Sequence, residues 1–359
     1  MLKIEAKKEL PGFSLDVRLT AESGILAILG PSGSGKTMTL QSVAGLMKPD
    51  EGYVEVNGRV LFDSKNKINL PVQKRKVGFV FQHYALFPHL NVWDNIAYGL
   101  KDTPKDEIRA KIKQLLENMN IDGLEGRFPR QLSAGQQQRV AIARALAPEP
   151  DVLLLDEPFS ALDPVLKERL ELELMDLQNV FGGSILFVTH DLNEGYKLGS
   201  NVAVYHSGAI IQHDTKENVF SHPINRDVAK MTGMRNLVEG VITGIDGKNV
   251  TVDIPSWGES LRVVSDRAAN YFLNQEIILG IRPEYISLTD KPGENTLAAA
   301  VSHKMEGIAS SNYRLRIKSD TSEKRYLEAV ISKSSAGPLP EDSDCYLHLH
   351  PELLVIMAE

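Results

Sequence analysis

A single cysteine, Cys345, stands in a chain of 359 residues, so no intrachain disulfide can form. That usage fits a reducing compartment. No uncharged apolar run nears the roughly 20 residues that a membrane-spanning helix needs. Any membrane role is therefore expected to come through a partner. The segment Met1-Leu2-Lys3-Ile4-Glu5-Ala6-Lys7-Lys8-Glu9 lacks the apolar centre of a secretion signal, so the chain is expected in the cytosol. Positive charge is not in excess: the net charge is −7, which gives no global basic field to draw nucleic acid. Sustained heptads are missing, which argues against a long coiled coil. With 42% hydrophobic and 24% charged residues the composition is that of an ordinary globular chain. Its length exceeds one ordinary core, so two domains are expected.

What is present begins with Gly30-Pro31-Ser32-Gly33-Ser34-Gly35-Lys36-Thr37. It meets the pattern G-x-x-x-x-G-K-[ST] at every specified position. The apolar run Ile25–Leu29 before it reads as a buried strand, and Met38–Leu46 after it as a helix. Strand, glycine loop and helix together make a phosphate cradle. Backbone N–H groups turn inward and the helix N-terminus adds partial positive charge. Lys36 is expected to reach the β- and γ-phosphates, and the Thr37 hydroxyl to hold magnesium.

Further along, Phe13–Leu19 alternates as a half-buried strand, and Phe13 is a candidate to stack on the nucleotide base. Gly52–Val60 reads as a hairpin turning at Asn57-Gly58. Gln82 follows the apolar run Val77–Phe81, where its amide can face a metal or a water. Tyr84–Leu100 is apolar without a period. It suits either a packed loop with a short helix or a docking surface for another protein's helix. Thr103-Pro104-Lys105-Asp106 opens an amphipathic helix, with Thr103 as its cap. Ser133 caps a helix that follows a small-residue loop, Leu132–Gln136, a second anion site. One ATP needs one cradle per subunit, so a second suggests two copies sandwiching the nucleotide. The apolar strand Val152–Leu155 ends in Asp156-Glu157. Two carboxylates there are costly to bury without a task; Asp156 can orient magnesium and Glu157 can polarise the attacking water. Asp163 and Pro164 start a charged helix. The strand Ser184–Thr189 ends at His190, placed to sense the γ-phosphate. Strands alternating with helices argue a parallel α/β sheet with ligands at strand ends.

Near residue 233 the pattern changes to short β-rich runs. Asn236–Leu288 and Asn295–Ile356 look alike: each opens with Asn and an alternating strand and closes with Pro-Glu and an apolar strand. They read as two five-stranded units in tandem, linked by Lys291-Pro292-Gly293.

In order, Gly30–Thr37, Gln82, Leu132–Gln136, Leu155–Glu157, Asp163 and His190 resemble the ATP-binding subunits of ABC transporters. The resemblance implies an α/β P-loop NTPase domain over 1–233, with a helical subdomain at about 84–150. It implies an all-β, OB-like tandem barrel regulatory domain over 234–359. By the same resemblance the ligands are ATP and Mg2+. Catalysis falls to Lys36, Glu157 and His190. Nucleotide contacts fall to Phe13, Gly30, Pro31, Ser32, Gly33, Ser34, Gly35, Lys36, Thr37 and Met38, with Gln82, Ser133, Gly135, Gln136 and Asp163. Metal contacts fall to Thr37, Gln82 and Asp156. Ala134 departs from the family, which usually has a second glycine there. The implied partners are a second copy of the chain, two integral-membrane permease subunits and, indirectly, an extracytoplasmic solute-binding protein, at the cytoplasmic face of the membrane and without nucleic acid. Val60-Leu61-Phe62-Asp63-Ser64 with Ile68-Asn69-Leu70-Pro71 is most similar to molybdate importers. Gln82–Phe87 and Gly280–Glu284 lean toward the sulfate, iron and sugar set. Import of an oxyanion, molybdate first, is the expected function; sulfate, tungstate, iron or a sugar are alternatives. A non-transport ABC ATPase acting on nucleic acid or ribosomes fits less well, because the chain has one cassette and an acidic balance.

Overall fold

A computed structural model describes residues 1–100, 104–160, 162–320, 326–334 and 339–357. The chain divides into two compact units, Met1–Lys216 and Glu217–Glu359.

In the first unit the strands are β1 (Leu2–Leu10), β2 (Phe13–Ala21), β3 (Gly24–Leu29), β4 (Glu51–Val56), β5 (Arg59–Asp63), β6 (Ile68–Asn69), β7 (Val77–Val80), β8 (Val152–Asp156), β9 (Ser184–Val188), β10 (Asn201–His206) and β11 (Ala209–Thr215). They form one sheet in the order β6-β5-β4-β1-β2-β11-β10-β3-β9-β8-β7. The half β10-β3-β9-β8-β7 is parallel. The half β6-β5-β4-β1-β2 is antiparallel. In the parallel half β8 and β9 are buried at every residue. A parallel sheet covered on both faces demands continuous apolar runs, and that is why these strands carry no alternation. In the antiparallel half β1 and β2 do alternate, because one face meets water. The Asn57-Gly58 turn joins β4 to β5 with both residues at positive φ, as a tight hairpin requires.

The helices are α1 (Lys36–Ala44), α2 (Val92–Ala97), α3 (Lys105–Asn118), α4 (Ala134–Leu146), α5 (Pro164–Phe181), α6 (Leu192–Leu198), α7 (Lys216–Ser221) and α8 (Arg226–Met231). Helices α2, α3 and α4 share their own core of Val92, Ile96, Ile112, Leu116 and Val140. Part of the aperiodic stretch from Tyr84 to Leu100, Val92, Ile96 and Leu100 above all, is thus packed inside the chain. Buried Asn95 organises it, accepting from Phe87 N and donating to the carbonyls of Phe87, Leu90 and Asn91. Tyr98 is the large residue of this stretch that stays open, at 46% exposure. The cap at Thr103 lies outside the described residues; Pro104 occupies the N-cap position of α3.

The division between the units falls at Lys216, earlier than the change of pattern near 233. The reason is chemical. Arg282 of the second unit donates to the backbone carbonyls of Thr232 and Phe220, and its guanidinium lies over the Phe220 ring. Ala229 and Met234 pack with Ile278 and Met357. The short helices therefore belong to the β-rich unit.

That unit holds β12 (Asn236–Asp246), β13 (Asn249–Ile254), β14 (Glu259–Val264), β15 (Glu276–Ile281), β16 (Ile286–Thr289), β17 (Thr296–Glu306), β18 (Ser310–Ile317), β19 (Leu327–Ser332), β20 (Asp344–Leu349) and β21 (Val355–Met357). They make two five-stranded sheets, β14-β13-β12-β15-β21 and β16-β20-β17-β18-β19. The sequence repeat is present, with an exchange. Each repeat gives four strands to its own sheet and its fifth, the apolar strand after Pro-Glu, to the other. Thus Gly280 pairs with Val355, and Ile286 with Leu349. One hydrophobic core, including Val252, Trp257, Leu279, Leu315 and Leu347, serves both sheets.

Among the described residues Arg75 is the largest fully buried side chain. It donates to the carbonyls of Leu70, Ser42 and Val43 and to Asn69 Oδ1, so it caps the C-terminal turn of α1. Arg75→Met leaves these acceptors buried and unpaired. The expected loss is about 3 kcal/mol, read as a lower unfolding midpoint of the first unit by circular dichroism.

Candidate active site

The site grows from the carboxyl ends of β3, β8 and β9, which are adjacent in the parallel half of the sheet. Out of β3 the chain turns through Gly30–Gly35 and enters α1 at Lys36. Gly30, Gly33 and Gly35 take φ of +156°, +80° and +101°. Two of them also have no room for a side chain. A Cβ on Gly30 would lie 2.6 Å from the Tyr205 carbonyl, and one on Gly35 would lie 2.7 Å from Leu15 Cδ1. Only glycine lets the backbone close this tightly. Pro31, Ser32 and Gly33 are exposed, whereas Ser34, Gly35 and Lys36 are buried. Ser34 Oγ is buried without a hydrogen-bond partner. A loop that holds a buried hydroxyl unpaired and has no side chain at its glycines fits a polyanion such as the triphosphate of ATP.

Lys36 Nζ donates to the carbonyls of Gly30 (2.8 Å) and Pro31 (2.9 Å), which holds it at the mouth of the loop. Burial lowers its pKa, against the pull of the Glu157 and Asp156 carboxylates. Thr37 Oγ1 donates to Asp156 Oδ1 at 2.9 Å. The Asp156 carboxyl is pushed up by burial and by Glu157, while the Thr37 hydrogen bond and Lys36 oppose the shift. A hydroxyl and a carboxylate oxygen, side by side at a phosphate loop, are the donors that Mg2+ uses when phosphates and water supply the rest of its shell. Met38 is half-buried, its side chain packed against the core of the first unit.

Glu157 begins the loop after β8, in left-handed conformation at φ +44°. Its N–H donates to the Val188 carbonyl at the end of β9. Non-glycine residues hold such a φ only where the surroundings enforce it, and they cluster at functional sites. The side chain is 17% exposed. Its Oε2 meets both His190 Nδ1 (3.1 Å) and Gln82 Nε2 (3.3 Å). Three positions far apart in sequence therefore converge on one carboxylate oxygen. Gln82 is on Glu157 here, rather than on the Thr37–Asp156 pair.

Ser133 caps α4. Its N–H donates to Gln136 Oε1 at 3.0 Å, and Gln136 N–H to Ser133 Oγ at 3.3 Å, a reciprocal capping box. Gly135 packs closely, since a Cβ there would lie 2.8 Å from Leu166 Cδ2, which would have to move aside. The Ala134 methyl is exposed. None of the hydrogen bonds among the described residues joins Ser133–Gln136 to Gly30–Thr37 within one chain. Asp163 caps α5 through Leu166 N–H at 3.0 Å. Phe13 is half-buried, its ring against Gly35 and Gly208.

Several residues around the site make contacts that the sequence did not announce. Arg144 donates to the carbonyls of Tyr84 and Ala85, two left-handed residues that follow Gln82. Tyr205, wholly buried, donates to Thr39 Oγ1 beneath α1; burial pushes its phenol well up. Thr189 and Glu194, on either side of His190, are bonded to each other. The signal available was charge on a buried helical face: Glu194, Gly195 and Leu198 are the buried residues of α6.

Residues 14–160 match the family model described as ABC transporter. The chain is 42% identical over 294 residues to "Spermidine/putrescine import ATP-binding protein PotA" of Acetivibrio thermocellus, covering 81% of this chain and 78% of that protein. The chain belongs to the ATP-binding subunits of ABC importers. Over 234 residues this importer ATPase is also 46% identical to "Sulfate/thiosulfate import ATP-binding protein CysA 2" of Agrobacterium fabrum, 64% of this chain and 67% of that one. Among solved structures it is similar to the dimeric post-hydrolysis state of the cassette MJ0796 bound to ADP and Pi. That likeness has a TM-score of 0.51 at 29% identity and covers 60% of this chain and 99% of the other. The family is one of ATP-hydrolysing enzymes, with ATP and Mg2+ as ligands. No helix among the described residues is long and apolar enough to cross a membrane.

Gly35→Ala forces a methyl group onto Leu15 at a φ that resists it. The expected result is loss of ATP binding by at least about tenfold, measured by titration with a fluorescent ATP analogue, with the thermal midpoint of the second unit unchanged.

Proposed function

We propose that two copies of this chain close head to tail around two ATP molecules and so drive solute import through two integral-membrane permease subunits. The observation that carries this reading is that the two cradles share no hydrogen bond within one chain, among the described residues. The phosphate loop, Asp156, Glu157, Gln82 and His190 converge in one chain. The capped N-terminus of α4 at Ser133–Gln136 makes no hydrogen bond with them. A second copy can bring its Ser133 region, its Gly135–Gln136 backbone and its Asp163 loop to the exposed face of Gly30–Gly33. The dimeric cassette MJ0796 supports this arrangement.

In this reading the reaction is attack of water on the γ-phosphorus, with ADP leaving. Glu157 Oε2 accepts the proton of the water. His190 and Gln82 hold that carboxylate from two sides, and the left-handed backbone at Glu157 aims it. Lys36 exchanges its two carbonyl partners for the β- and γ-phosphates. When bound, Mg2+ neutralises charge on the phosphate oxygens, and Thr37 and Asp156 are the residues that would hold it. The subunit would act at the cytoplasmic face of the membrane, on solute delivered by an extracytoplasmic binding protein. Nucleic acid has no place in the scheme.

The solute we propose is an oxyanion, molybdate first, supported by Val60–Ser64 and Ile68–Pro71. A second reading, a polyamine, is favoured by relatives named for spermidine and putrescine import. Deleting the gene and following uptake decides between them. Molybdate uptake should fall and spermidine uptake should persist; the reverse would move the assignment to polyamines.

Glu157→Gln keeps the shape and removes the base. It should bind ATP normally, accumulate as a dimer on size-exclusion chromatography, and hydrolyse ATP at least about a hundredfold more slowly. Unchanged turnover would take Glu157 out of the role of base.

A further inference from the structure

Beside His190 lies a small cavity of about 130 Å³ whose lining includes Glu157, Ser160, His190, Lys167, Thr189 and Glu194. Lys167 stands in the first turn of α5, one turn after Asp163, and its N–H donates to the Asp163 carbonyl. Its ammonium reaches the loop after β9. Nζ lies 2.5 Å from Asp191 Oδ2 and 2.6 Å from Glu194 Oε1. Glu194 is only 6% exposed at its side chain and accepts from the Thr189 hydroxyl. The same hydroxyl accepts from Asp191 N–H at 3.0 Å. Both neighbours of His190, Thr189 and Asp191, are thereby tied to one carboxylate–ammonium cluster. His190 itself is 58% exposed at its side chain. Its side chain meets Glu157 Oε2 at 3.1 Å. The backbone that carries the ring is thus held on both sides by its neighbours' anchors.

We propose that Lys167 is the positioning residue for His190, holding it against Glu157 and tying it to the Asp163 loop through the first turn of α5. The physical basis is charge compensation. Glu194 and Asp191 crowd one site, and two carboxylates left there without a cation repel. Burial of Glu194 sharpens the penalty. Burial also opposes the charge on Lys167, and the two carboxylates outweigh it, holding the ammonium above its ordinary pKa. Removing that ammonium makes the cluster open, and Thr189 and Asp191 move with it. His190 Nδ1 then loses its distance to Glu157 Oε2. Binding of ATP at Gly30–Thr37, on the other side of Glu157, is left intact.

This inference rests on the proposed roles of Glu157 and His190. The test uses the full chain with Mg-ATP and compares Lys167→Met, Lys167→Arg, His190→Ala and the double variant Lys167→Met/His190→Ala. Lys167→Met should lower kcat by about tenfold and leave KM for ATP within about twofold. Lys167→Arg, which keeps the cation, should recover most of kcat. In the His190→Ala background, Lys167→Met should lower kcat no further, because the residue acts through His190. Unchanged kcat in Lys167→Met, or the same loss in both backgrounds, or a rise in KM that accounts for the loss, overturns the inference while leaving the His190 role intact. Unchanged kcat in His190→Ala removes the role of His190 itself and this inference with it.

Discussion

The burial of unlike charges at the ends of three adjacent strands is the constraint around which the first unit is built. Lys36 and Asp156 are 5% and 6% exposed, and an isolated charge at such depth is expensive. Neither forms a direct ion pair with the other. Each is instead held by oxygen partners: Lys36 by two loop carbonyls, Asp156 by the Thr37 hydroxyl. Those partners exist only because Gly30 and Gly35 let the loop fold back on itself. The glycines, the lysine and the aspartate are thus one device. It keeps charge in low dielectric and orients it toward a polyanion, which is where preorganised electrostatics act most strongly.

The parallel half of the sheet was legible because its physics is local. Ile25–Leu29, Val152–Leu155 and Ser184–Val188 are apolar throughout, and a strand covered on both faces has no other option. The residues at their tips, Glu157 and His190, stood out as polar groups where apolar runs end. What the sequence could not show is how they meet. That His190 and Gln82 share one oxygen of Glu157 depends on the strand order β3-β9-β8-β7, a non-local fact. Arg75 was hidden for a related reason. In Lys74-Arg75-Lys76 it reads as one of three surface cations, and only the fold turns it inward onto the end of α1.

The second unit marks the other limit of sequence reading. The repeat was visible in Asn236 and Asn295, and in Pro283-Glu284 and Pro351-Glu352. Pairing was not. A five-stranded segment that closes on itself and one that exchanges its last strand have the same periodicity, since the alternation of a strand is indifferent to its neighbour. The exchange has an energetic consequence. Val355, Ile356 and Met357 complete the sheet of the first repeat, and Ile286–Thr289 that of the second. With the core shared as well, neither repeat can shed its edge strand alone. Two small β-units that would each be marginal become one cooperative body.

The apolar stretch from Tyr84 to Leu100 has both a packed side and an open one. Val92, Ile96 and Leu100 turn into the core with α3 and α4, and Asn95 knits the loop before them. That leaves Tyr98 outside, its ring 4.3 Å from that of Phe87. Phe87 in turn lies under Arg144, which grips the carbonyls of Tyr84 and Ala85 two residues beyond Gln82. The open surface at Tyr98 and the glutamine on Glu157 are therefore joined by a short chain of packed groups: ring on ring, cation on ring, guanidinium on carbonyl. Each link is stiff, since stacking and a forked donor both fix orientation as well as distance. The groups that pack this segment thus also lead, contact by contact, from its exposed end to the loop that carries Gln82.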